Sequence, residues 1–83
     1  MFAEKTETMQ QILIDIKLNQ LFLQCAEIVK QGEISIWDEE GSKLIDTIIN
    51  NNNYITIDID FPSGTYYLEL SEDGKKWKRY FKL

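Results

Sequence analysis

Eighty-three residues with a net charge of −5 allow one small domain with a modest core. There is no histidine and a single cysteine, Cys25, so histidine-based catalytic triads, most zinc sites and any internal disulfide are excluded. No apolar run approaches the ~18 residues of a membrane-spanning helix, and Met1–Gln11 has neither the basic start nor the apolar centre of a signal peptide.

Residues 1–10 read as a frayed, disordered lead-in, and 11–83 as one domain. Gln11–Leu18 alternates, with Ile12, Ile14 and Ile16 on one face and Leu13, Asp15 and Lys17 on the other, which predicts a half-buried strand. Asn19-Gln20 turns the chain into a second strand, Leu21–Cys25. Cys25 follows Leu21 and Leu23 at strand spacing, which suits a small buried hydrophobe. Ala26–Gln31 is too short for a stable helix and is expected to be an inter-strand loop whose Ile28 or Val29 plugs the end of the core.

Glu33–Glu39 is the third strand, with Ile34 and Ile36 inward and Ser35 and Trp37 outward. Glu40-Gly41-Ser42 reverses it, with Gly41 suited to a left-handed conformation. The fourth strand, Lys43–Ile49, is apolar on both parities, at Leu44 and Ile48 and at Ile45 and Ile49. That pattern makes those four residues a candidate edge for a homodimer. Asn50–Asn53 is expected to turn, because asparagine accepts left-handed geometry. Tyr54–Asp60 is a regular fifth strand with Ile55, Ile57 and Ile59 inward.

Phe61-Pro62-Ser63-Gly64 has the composition of a tight turn. From Thr65, Tyr66, Leu68 and Leu70 share one face. Asp73-Gly74 is the strongest hairpin signal in the chain and leads to a last strand running to Leu83. In that strand Trp77, Arg79, Phe81 and Leu83 share the inward parity. Residues 75–83 carry five cations and no acid, whereas all fourteen acids lie upstream. The acidic body argues against nucleic-acid binding. The lysines fit an edge strand protected from further pairing.

Seven short strands with one apolar face each predict an all-β, immunoglobulin-like or fibronectin-III-like antiparallel sandwich. Strands one, two and five would form one sheet, and four, three, six and seven the other. The cysteine pair of antibody domains is absent. In that arrangement Trp37, Tyr67 and Tyr80 project from neighbouring strands of one outer face, a candidate surface for a protein or carbohydrate ligand. The alternative is that the rings only stabilise the sheet as cross-strand pairs. Asp58 and Asp60 with Ser63 and Gly64 lack the ligand pattern of a calcium loop, and no acids are spaced as a catalytic pair, so neither a cofactor nor an enzymatic activity is expected.

The run ISIWDEEGSKLIDTII, then YITIDIDFPSGTYYLEL and KRYFKL resembles the small secreted immunoglobulin-like domains of unknown function common in Bacteroidetes. It is also similar to the C-terminal sorting domains read by the type IX secretion system. The matching residues are Ile34, Ile36, Asp38, Gly41, Pro62, Ser63, Gly64, Tyr66, Leu68, Phe81 and Leu83. The resemblance implies an extracytoplasmic, non-catalytic binding or adhesion module, or a module that serves secretion sorting without a ligand site.

Overall fold

The computed structural model of the protein describes residues 11–83; the expected frayed segment, 1–10, lies outside the described residues. Five strands follow in order: β1 (Ile12–Lys17), β2 (Gln20–Asp38), β3 (Lys43–Asp58), β4 (Thr65–Glu72) and β5 (Lys75–Lys82). All pairings are antiparallel.

Residues 20–25 of β2 lie between β1 and residues 54–58 of β3. Residues 32–38 of β2 lie between residues 43–49 of β3 and β4, with β5 outside β4. These are the neighbours expected of the sandwich. The count is different: five continuous strands stand where seven were expected, because β2 and β3 each pass from one layer to the other without a loop.

That crossing corrects two turn assignments. Ala26–Gln31, expected as a loop, is strand, and so are Asn50–Asn53. The two crossings pair with each other through a bulge, in which Gln24 faces Tyr54 while the next pair is Val29 with Asn52. Extra residues on one strand bend it and raise its twist. Asn51 takes φ 48°, so asparagine's tolerance of left-handed geometry is used to turn a corner rather than end a strand. Of the two proposed plugs, Val29 is fully buried and Ile28 is exposed.

Tight turns lie at both ends. The first reversal is at Leu18-Asn19, one residue earlier than expected, with Leu18 at φ 56°. Asp73 and Gly74 take φ 54° and 80°, the two left-handed residues of a type I′ hairpin, at the corner end of β4 and β5. Gly41 is left-handed as expected, and Asp38 Oδ1 accepts from the amides of Glu40 and Ser42 at 2.9 Å each. Gly64 stays outside the left-handed region; its amide and carbonyl instead bond Leu83.

The inner faces make one core. Leu21, Leu23 and Cys25 from the outgoing half of β2 meet Ile34 and Ile36 from its return, with Leu68, Leu70, Tyr66 and Phe81. Each such aliphatic side chain contributes about 1.5–3 kcal/mol through burial. Ile12 completes the core from β1, and Ile14 and Ile16 pack against it.

Candidate functional site

The outer face of the β3-β2-β4-β5 layer is a grid fixed by strand register. Trp37 stands opposite Lys43 on one side and Tyr67 on the other, and Tyr67 stands opposite Tyr80. The next row toward the corner is Asp46, Ser35, Glu69 and Lys78, followed by Ile48, Glu33, Ser71 and Lys76. Period-two alternation puts these side chains outward because their neighbours Ile34, Ile36, Leu68 and Leu70 are buried.

The three aromatic candidates therefore form one strip. The Trp37 and Tyr67 rings are nearly parallel, 9° apart, with centroids 6.0 Å apart. Tyr80 meets Tyr67 at 5.6 Å and 60°. Lys43 Nζ lies 5.2 Å from the Trp37 ring centroid, and Lys78 Nζ lies 4.6 Å from that of Tyr67. At these distances each ammonium is attracted to the ring quadrupole by about 0.5–1 kcal/mol. Two of the rings thus carry a cation against them, and Tyr80, 68% exposed, is the ring most open to solvent. Trp37 Nε1 is buried with no hydrogen-bond partner among the described residues. The strip can offer a partner one open phenol ring and two ammonium groups already seated on aromatic surface.

The four residues of the proposed dimer edge divide by face. Ile49 is buried, Ile45 packs against the core, and Leu44 and Ile48 are exposed. The apolar pattern on both parities arises because β3 is core on one face and exposed edge on the other. Among the described residues β3 pairs only with β2.

Ionisable groups add little chemistry. Burial, and then the nearby Glu72 charge, push the Cys25 thiol up. Such a thiol is a poor nucleophile. Glu33 is held above its ordinary value mainly by a hydrogen bond with Asp46 and secondarily by that group's charge. Asp46 is lowered by the same hydrogen bond and by Lys43, whose ammonium lies 3.3 Å from Asp46 Oδ2. Asp58 accepts from Gln20 Nε2 at 3.0 Å. Among the described residues no three His, Cys, Asp or Glu side chains are grouped to hold a metal ion.

Two contacts were missed in the sequence. The Tyr66 hydroxyl donates to the Pro62 carbonyl at 2.5 Å, the tyrosine corner that fixes the passage between layers in immunoglobulin-like sandwiches. The Pro-Ser-Gly-x-Tyr spacing was its signal. Arg79, inward on β5, donates Nε to the Ile12 carbonyl at 3.3 Å and joins the layers at their open side. Nothing local in the sequence marks that pairing of residues 67 positions apart.

A family model described as a secretion system C-terminal sorting domain matches residues 6–82. Among solved structures, a DUF3244 family protein with an immunoglobulin-like β-sandwich fold from Bacteroides vulgatus matches with TM-score 0.74 and 27% identity. The match covers 87% of this chain and 82% of that one. No curated protein matches.

Proposed function

The chain belongs to the secretion system C-terminal sorting domain family, and from that premise we propose that it is a non-enzymatic sorting module acting outside the cytoplasm. The observation that carries this reading is the extent of the match, which takes in the whole described sandwich rather than one hairpin. The domain's task is to be recognised as a folded shape by secretion machinery. A buried thiol and the lack of any histidine are in keeping with a role that needs no catalytic group.

The test is a fusion of the complete chain to the C-terminus of a periplasm-targeted reporter, expressed in a Bacteroidetes host with and without a functional type IX system. Reporter released to the surface or medium only in the competent host is the expected result. A folded fusion retained equally in both hosts overturns the proposal. The whole chain is required, because cutting at Gly32 would divide β2 at its corner.

A second reading is favoured by the aromatic strip: Trp37, Tyr67 and Tyr80 are a contact surface for a protein or carbohydrate partner. Its support is the contiguity of the three rings and the exposure of Tyr80. Tyr80→Ala separates the roles, since its ring is outside the core. Lost export with an unchanged Tm assigns the strip to recognition, and unchanged export sinks this reading while leaving the sorting role standing.

A further inference from the structure

Three strands keep one edge without a partner among the described residues: β1, β3 and β5. An exposed strand edge is a row of amide donors and carbonyl acceptors, and its natural complement is another strand. The three edges are not equally open. β5 carries Lys75, Lys76, Lys78, Arg79 and Lys82, which repel a like strand. β1 is six residues long and carries Asp15 and Lys17, and Arg79 already donates to its Ile12 carbonyl. Along 43–50 of β3 the only charges are Lys43 and Asp46, and these are paired with each other, so the edge is locally neutral. The same stretch exposes Leu44 and Ile48, the latter by 64%.

We propose that β3 pairs antiparallel with β3 of a second copy about a twofold axis at Ile48. A twofold axis between identical antiparallel strands must set one residue against itself. With Asp46 on the axis, two carboxylates would face each other. With Thr47 there, each Asp46 would face an Ile48 side chain. With Ile48 on the axis, the two exposed isoleucines cover each other, Thr47 faces Ile49, and Asp46 faces the Asn50 amide, which can donate to it. The two Asp46 carboxylates are then well apart. The pairing joins the two four-stranded layers into one continuous sheet. It leaves the aromatic strip outward, and it does not rest on the sorting reading.

Sedimentation equilibrium of the full chain across a concentration series tests this. The expected mass rises to twice the 9.8 kDa of the chain. Ile48→Lys should return it to the single-chain mass while leaving the chain folded, with a Tm that no longer rises with protein concentration as the wild-type Tm does, because the residue is exposed in the single chain. A wild-type chain that stays single at every concentration overturns the proposal, and so does an Ile48→Lys protein that still doubles. A single chain whose β3 edge instead takes up an extended peptide would also overturn it. Export of the reporter fusion is read separately, so the two proposals fail independently.

Discussion

The chain changes direction in this sandwich by two different means. At one end Leu18-Asn19 and residues 39–42 reverse it within a few residues, using left-handed backbone at Leu18 and Gly41. At the other, β2 and β3 cross between layers side by side, keeping strand pairing through a bulge between Gln24 and Val29. The tight turns are solved by local backbone chemistry. The corner is solved by packing, with Val29 filling the bend and Gly32 leaving room for it. Damage should therefore be severe at the corner and small, or even favourable, at the turns.

Gly32→Ala should break the corner with the largest effect. A Cβ there would lie 2.7 Å from Val29 Cγ1 and 3.1 Å from the Ser71 carbonyl, and valine is too stiff to yield easily. Overpacking of this kind costs about 1–3 kcal/mol. Urea unfolding should show that loss, and adding Val29→Ala should cost less in the Gly32→Ala background than alone. Additive losses would mean that the two residues do not share the corner.

Leu18→Asn should move stability the other way. A leucine at φ 56° is strained, and its side chain is 97% exposed, so little burial is lost. Left-handed geometry costs an ordinary residue about 1–2 kcal/mol, and asparagine relieves part of that. A gain of roughly 0.5 kcal/mol, a few degrees in Tm, is expected. A lower Tm would show that Leu18 is held by packing after all.

The smallest effect lies just beyond the corner, at Glu33. Its raised pKa means the folded protein holds that proton more tightly than the unfolded chain does. That stabilisation is present below the ordinary 4.5 and is lost as pH rises through the raised value. Asp46 contributes in the opposite sense, above its ordinary 3.8, and loses its contribution as pH falls through the lowered value. Glu33→Gln keeps a donor for Asp46 at every pH. It should melt slightly above wild type at neutral pH and converge with it in acid. A constant offset between the two melting curves, measured from about pH 3 to 8, would show that the carboxyl pair is not the cause.

The same contrast explains what could be read from the residues alone. Asp73-Gly74, Gly41 and the alternation of Ile12, Ile14 and Ile16 act locally, so strand faces and the layer partners were legible. Trp37, Tyr67 and Tyr80 were placed on one outer face for that reason, since period two fixes the face and the Asp73-Gly74 hairpin fixes the register of Tyr67 with Tyr80. The corner was not legible. Ala26, Glu27 and Ile28 are exposed in succession inside a strand, which erases the alternation, and four asparagines in a row imitate a turn. Pairing between the two crossings overrode that local preference. The seats of Lys43 beside Trp37 and of Arg79 on Ile12 also depended on register shifts and layer contacts that no short window contains.

The bond from Arg79 to Ile12 has a mechanical consequence. Ile12 pairs with Cys25 at the corner, while Leu83 pairs with Gly64 at the opposite end. Tension applied between these two residues runs lengthwise along β1 and β5, the two strands that the arginine ties across the open side. The backbone bonds of β1 to β2 and of β4 to β5 are then loaded together in shear instead of being peeled one at a time. A sandwich drawn by its ends meets that pull as a lap joint, with the guanidinium as its rivet.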